Sequence, residues 1–328
     1  MTSIDVPSAW ERAAEEITLL GLHKVLVLGA SDCGKSTFCR FLCRYLSENG
    51  KSAVMIDADI GQKDIGPPAC ITSGFPGMET GGEPAGAAGF YFVGGVNPFG
   101  RFLRLVVGVG LLTDSADASF KIIDTTGLVH GPGRVLKDSK IEVLRPHLIV
   151  ALQRSAELEL LLGAHRNYRT LGIPVSVQAL PRTRDQRRLA REAAFRAYFQ
   201  SAVDLELGID RLIFQRSRIF NGKPLRNSDF LYCEESAEGM LVVTDDKLPQ
   251  RPNFTVVSPG FEENLLCGVA DAKGAGLGLA IIRKIDFFKR TIWLLSPVKP
   301  EPIEVLQFGD IYVNSDGKAL GSRKPGDF

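Results

Sequence analysis

The run Val25-Leu-Val-Leu-Gly29-Ala-Ser-Asp-Cys-Gly34-Lys35-Ser36-Thr37 sets apolar strand formers ahead of a G-x-x-x-x-G-K-[ST] pattern. Such a loop grips polyphosphate. Its glycines let backbone N–H groups turn inward around an anion, Lys35 reaches the β- and γ-phosphates, and the Ser36 hydroxyl can ligand Mg²⁺. Gly29, Ser31, Asp32, Cys33, Gly34, Lys35, Ser36 and Thr37 are therefore the expected contacts to a nucleoside triphosphate. The phosphates would rest on the N-terminus of a helix running from Lys35 to about Ser47. Phe38, Phe41, Leu42 and Tyr45 share one face of that helix, and Gly50 stops it.

Acids follow at a second strand end. Ser52 to Asp57 reads as a strand, and Asp57-Ala-Asp59-Ile-Gly61-Gln62 carries it to the edge where an α/β sheet binds ligands. Asp57 and Asp59 share a side of the pleat, and either can hold Mg²⁺-bound water or take a proton from an attacking hydroxyl. A further strand, Lys121 to Asp124, ends in the usual form of a metal-site strand. Ser36, Asp57, Asp59 and Asp124 make up the candidate Mg²⁺ set. Thr125 and Thr126, ahead of Gly127, can donate to phosphate or substrate.

Phosphoryl transfer also needs positive charge that closes over the transferred group. Residues 182 to 196 hold six arginines against Asp185 and Glu192. With Arg182 at a helix entrance and Arg187 and Arg191 successive along one face, several guanidinium groups can converge on one site. A solvated charged face is the ordinary alternative. No Asn-Lys-x-Asp guanine-reading motif occurs, which favours ATP as the nucleotide.

The elements that must position these groups alternate. A short helix over 8 to 20 precedes the first strand; further strands are expected at 148 to 152 and 175 to 180, and helices at about 136 to 144, 156 to 166 and 184 to 200. This order implies an α/β fold, a P-loop NTPase parallel sheet with helices on both faces. Residues 71 to 100 hold nine glycines plus Pro76, Pro84 and Pro98, and are expected to form a lid or surface connection. From about Asp204 short β-like runs take over, so the expected division is a kinase domain over 1–204 and a smaller β-rich domain over 205–328. Lys273-Gly274-Ala-Gly276-Leu-Gly278 resembles a dinucleotide fingerprint only superficially, and glycines of a hairpin or bulge are the simpler reading.

The 328 residues are 45% hydrophobic and carry a net charge of +1, so a substantial core is affordable and no global field attracts nucleic acid. No stretch approaches a membrane span, and Met1-Thr-Ser-Ile-Asp-Val-Pro lacks the features of a signal peptide; a cytoplasmic protein with no membrane partner is expected. The six cysteines show no zinc spacing and read as reduced thiols. Four scattered histidines support no metal site, and only His130 falls near the proposed centre.

Taken together, these residues resemble the polynucleotide 5′-hydroxyl kinases related to the RNA kinases of mRNA cleavage, tRNA splicing and ribosomal RNA processing. The resemblance spans residues 25 to 200. It rests on the phosphate loop, Asp57-Ala-Asp59-Ile-Gly61-Gln62, Tyr91-Phe-Val-Gly-Gly-Val-Asn-Pro98, Asp124-Thr-Thr-Gly127 and Arg182-x4-Arg187-Arg188-x2-Arg191-x6-Tyr198-Phe199. It implies that Asp59 orients or deprotonates a 5′-hydroxyl, that Lys35 and Ser36 hold the γ-phosphate and magnesium, and that Gln62 contacts the nucleic acid. Arg182 and Arg187 would belong to a lid. Leu128 stands where eukaryotic relatives commonly carry a base-clamping tryptophan, so base grip is looser or comes from Phe90, Tyr91 or Phe92. The chain also lacks the extra N-terminal domain of larger relatives, which suggests a minimal prokaryotic-type member.

The resulting expectation is an ATP- and Mg²⁺-dependent kinase acting on single-stranded or end-exposed RNA or DNA. Lys35, Asp59, Arg182 and Arg187 would carry catalysis; Gln62, Thr125, Thr126, Gly127 and Arg191 would bind substrate. A non-catalytic ATP-bound scaffold of an RNA-processing complex and a small-metabolite P-loop kinase are the alternatives, and no protein partner can be named.

Overall fold

Side chains alternate along a strand, so a strand covered on both faces reads as an unbroken apolar run. Lys24–Gly29 (β1) is such a strand. Val25 and Val27 enter one core with the helices Ser8–Leu19 (α1) and Lys35–Glu48 (α2). Leu26 and Leu28 enter another with Phe102–Ser115 (α3), Pro132–Leu144 (α4) and Glu159–Ala164 (α5). This computed structural model describes residues 6–76, 87–226, 229–246 and 253–323. It divides into two compact units, Met1–Ala194 and Phe195–Phe328.

In the first unit, Ala53–Ala58 (β2), Cys70–Gly74 (β3), Ala87–Phe92 (β4), Phe120–Thr125 (β5), Leu148–Gln153 (β6) and Thr170–Pro174 (β7) join β1 in the order β4-β3-β2-β5-β1-β6-β7. The five strands from β2 to β7 run parallel, as expected, whereas β3 and β4 are antiparallel additions. Both additions lie in the glycine-rich stretch expected to be loop. The middle of that stretch, 77–86, and the leader reading at residues 1–5 fall outside the described residues.

Two further expectations shift. The strand expected at 175 to 180 lies instead at β7, because β6 ends at Gln153, opposite Pro174, and leaves later residues no ladder to join. Helix α3 was not foreseen. Its Leu103, Val107 and Leu111 are exposed while Leu105, Val109 and Leu112 are buried, so apolar residues on both sides erase the helical period. The expected helix over 184 to 200 is Arg184–Phe199 (α6). On α2 the buried stripe is Phe38, Cys39, Leu42, Cys43 and Leu46, with Phe41 and Tyr45 at its margin.

The second unit is β-rich, as expected. Leu265–Ala270 and Gly276–Asp286 form an antiparallel hairpin flanked by Thr291–Ser296 and Val305–Val313, and a separate four-stranded sheet contains Tyr232–Ser236 and Gly239–Val243. The glycines from Gly274 to Gly278 form the hairpin turn and a strand bulge, which settles the superficial fingerprint. All six cysteines are free and buried. Among the described residues no helix is long and apolar enough to cross a membrane, and no cluster of His, Cys, Asp or Glu is set to hold a metal.

Candidate active site

Parallel pairing of β2 with β5 sets Asp57 opposite Asp124, so two carboxylates stand abreast beside the phosphate loop. Their uses differ. Asp57 is fully buried; its Oδ1 accepts from the Asp59 N–H at 3.1 Å and pairs with Lys63 Nζ at 3.1 Å. Its Oδ2 accepts from the N–H groups of Asp64 at 2.8 Å and Ile65 at 3.1 Å. Those four contacts fill the acceptor capacity of a carboxylate. Asp57 therefore shapes the turn after β2 and is not available to a metal, correcting the expectation. Asp59 does line the cavity, and its Oδ1 holds the turn through the N–H groups of Gly61 and Gln62.

The phosphate loop closes as expected. Gly34 adopts φ +87° at the start of α2, a left-handed conformation natural to glycine. Gly29 is required for space, since a Cβ there would lie 2.5 Å from both Cys33 Sγ and the Leu152 carbonyl oxygen. Neither Gly29 nor Cys33 lines the cavity; the Cys33 side chain is buried in the core, where burial raises its thiol. Ser31, Asp32, Gly34, Lys35, Ser36 and Thr37 do line it. Lys35 Nζ donates to the Ala30 carbonyl at 2.8 Å, back across its own loop. Ser36 Oγ donates to Asp124 Oδ2 at 2.5 Å. Burial, with the Asp57 charge beside it, pushes Asp124 up to about 7 against the opposing pull of Lys35 and Ser36.

Arginines gather over the opposite wall. Arg182, Arg187 and Arg191 line the cavity, whereas Arg188 turns to Asp185 and Glu192 along its own helix. Arg187 pairs with Asp32 Oδ2 at 2.5 Å, and the Arg182 N–H donates to the same oxygen at 3.0 Å. Burial raises the Asp32 carboxyl, but the Arg182 N–H and the Arg187 guanidinium outweigh it and hold the group low. Gln62 Nε2 donates to the Arg187 carbonyl at 3.2 Å, tying the turn after β2 to α6. Arg154, which the sequence did not single out, donates to the carbonyls of Asp32 at 2.7 Å and Ala179 at 3.0 Å.

The turn after β5 completes the floor. Thr125 is fully buried and donates to the Val27 carbonyl at 2.9 Å, so it braces the sheet instead of meeting substrate, a second correction. Thr126, Gly127 and Leu128 line the cavity. A Cβ on Gly127 would lie 2.5 Å from the Ser31 Cα and N, so the two loops touch backbone to backbone. Phe90, Tyr91 and Phe92 do not line the cavity. They belong to β4, where Tyr91 lies against Gly108 and Phe92 is buried, which removes them as base-gripping alternatives. His130 is exposed and outside the cavity. Two buried groups escaped the sequence as well: Lys137 and Lys140 of α4 are fully buried, and burial lowers both, Lys140 to about 8. Nothing in an amphipathic helix pattern marks a lysine as buried.

One cavity thus presents the phosphate loop with Lys35 and Ser36, the latter backed by the buried Asp124, the Asp59 carboxylate just past a strand end, and Arg182, Arg187 and Arg191 together with Arg40. That set can hold a triphosphate, withdraw charge from its terminal phosphoryl group and accept a proton from a nucleophile. The family described as mRNA cleavage and polyadenylation factor CLP1 P-loop matches residues 29–201. A polyribonucleotide 5′-hydroxyl-kinase of Pyrococcus furiosus is 31% identical, over 97% of this chain and 95% of its own length. One of Methanocaldococcus jannaschii is 29% identical over 91% and 89%, and the polyribonucleotide 5′-hydroxyl-kinase Clp1 of Xenopus tropicalis is 28% identical over 88% and 70%. The solved wild-type Clp1p–Pcf11p complex contains a chain similar in fold, with a TM-score of 0.63 at 15% identity over 92% of this chain and 78% of that one.

Proposed function

Because this chain belongs to the CLP1 P-loop family, we propose that it is an ATP-dependent polynucleotide 5′-hydroxyl kinase, passing the γ-phosphate of ATP to the 5′-OH end of RNA or DNA. The observation that carries the reading is the meeting of Lys35, Asp59 and Arg182, Arg187 and Arg191 around one cavity. Lys35 and the loop N–H groups hold the phosphates of ATP. Asp59 accepts the hydrogen bond of the 5′-hydroxyl and takes its proton as the new P–O bond forms and the bond to ADP breaks.

Arg187 and Arg191 stabilise the equatorial oxygens, and Arg182 with Gln62 lies where the acceptor strand would enter. Positioning and charge stabilisation supply most of the rate. Ser36 Oγ and Asp124 Oδ2 form an all-oxygen pair that suits a hard dication, so we assign Mg²⁺ to them. A magnesium ion held there would neutralise phosphate charge.

ATP labelled at the γ-phosphate, offered with 5′-hydroxyl oligonucleotides of both sugars, tests the proposal. Label on the oligonucleotide is expected, and its absence at every length and sugar type would sink the reading. Salt-sensitive oligonucleotide binding, weakened when Arg182, Arg187 and Arg191 are neutralised together, separates this enzyme from a small-metabolite kinase. Tight ATP retention without product would identify a scaffold instead.

A further inference from the structure

An amine hidden from water costs several kcal/mol unless its protons are used. Lys137 uses them on one residue. Its Nζ donates to the Thr126 carbonyl oxygen at 2.6 Å and to Thr126 Oγ1 at 3.2 Å, while no part of the side chain reaches solvent. A threonine hydroxyl has one proton and two lone pairs. With Oγ1 receiving from Lys137, the hydroxyl proton is left for an acceptor of its own. Thr126 lines the cavity, and its neighbour Gly127 lies against Ser31 of the phosphate loop. On the kinase reading, the acceptor that the cavity would bring to this hydroxyl is a phosphoryl oxygen.

We propose that Lys137 is a positioning residue for phosphoryl transfer, fixing the Thr126 hydroxyl as a donor to the phosphoryl group in flight. The inference rests on the kinase reading above. Lys137 itself touches neither nucleotide nor acceptor; it sets the height of the Thr126–Leu128 wall and the direction of one O–H bond. Lys140, one turn further along α4, is equally buried with its Nζ unpartnered, so two amines interrupt an inward face otherwise made of Leu136, Ile141 and Leu144. A donor fixed in advance acts on the transition state more than on bound ATP, whose other phosphate contacts are already in place.

Lys137→Met keeps the length of the side chain and removes the amine. We expect kcat to fall about ten- to a hundredfold while the ATP Kd and the KM for 5′-hydroxyl RNA stay within about threefold. Thr126→Val should lose a similar factor, Thr126→Ser should keep most of the rate, and the double variant Lys137→Met/Thr126→Val should be no worse than the more damaged single. Wild-type kcat in Lys137→Met, a loss confined to ATP affinity, or fully additive losses would overturn the proposal. Should Lys137→Met not fold, the threonine pair decides: equal rates for Thr126→Val and Thr126→Ser overturn it. Wild-type protein inert towards every oligonucleotide would instead strike the kinase reading, leaving ATP binding by the wild type as the separate control.

Discussion

Two helices bring positive charge to this molecule, and they do so in opposite ways. Helix α6 carries its arginines at the surface or at the cavity rim, where Arg187 and Arg188 pair with carboxylates and burial lowers the half-buried Arg191. Helix α4 hides Lys137 and Lys140 completely, one bonded to Thr126 and one with no hydrogen-bond partner. Exposed cations can be moved and re-paired as a substrate arrives. Buried ones are fixed before it arrives, and the fold carries their desolvation. On the proposed reading, α6 would serve capture and closure and α4 the fixed geometry of the reaction floor.

That contrast presupposes a shared site, and its anchors give the largest expected effect. Lys35→Ala and Asp59→Asn should each lower transfer by about a thousandfold or more with circular dichroism unchanged. Residual turnover near the wild-type rate in either variant would dissolve the comparison. Arg187→Ala comes next, with kcat down about a hundredfold, because on the proposed reading it removes a guanidinium the transition state needs and leaves Asp32 held by the Arg182 N–H alone. An effect on KM alone would make α6 a binding surface and no more.

Lys140→Met sharpens the other side. The unfolded chain holds a lysine proton up to about 10.5, whereas burial lowers the folded-state value to about 8 despite the pull of Asp59, Asp124 and Asp57. The folded state therefore binds fewer protons between these values and gains stability as pH rises through them. Below about 8 the penalty is complete, so Lys140→Met should be more stable than wild type by about 1 to 3 kcal/mol at pH 7, an advantage that shrinks towards pH 10. Denaturant midpoints at the two pH values read it directly; a destabilised variant would mean that the ammonium is compensated after all. Smallest of all, Arg188→Ala should leave kcat and Tm nearly where they were, since Arg188 is itself half exposed and its pairs with Asp185 and Glu192 stay within its own helix.

Much of this was legible because spacing encodes it. The phosphate loop, β2, β5 and α6 follow from local patterns, and the cavity gathers Lys35, Asp59, Gln62, Thr126, Arg182, Arg187 and Arg191 as those patterns suggested. What failed depended on which way a side chain turns once folded, or on patterns masked by their own residues. Asp57 and Asp59 look alike on a pleat, and only the turn to Ile65 shows that one is consumed by backbone N–H groups. Thr125 and Thr126 are neighbours with the same side chain, yet strand alternation sends one to Val27 and the other to the cavity. Helix α3 was masked by its own exposed Leu103, Val107 and Leu111, and β3 and β4 by the glycines around them. Buried lysines leave no local signal, because in a helical period they count simply as polar.

The missing side chain at Gly127 has a practical consequence. The phosphate loop and the turn after β5 meet there backbone to backbone, so any side chain at 127 must displace Ser31. Redesign of acceptor scope should accordingly start at Leu128, where the wall can be recut, and leave its neighbour alone. Even a methyl group at 127 would push Ser31 aside and deform the phosphate loop for every substrate alike.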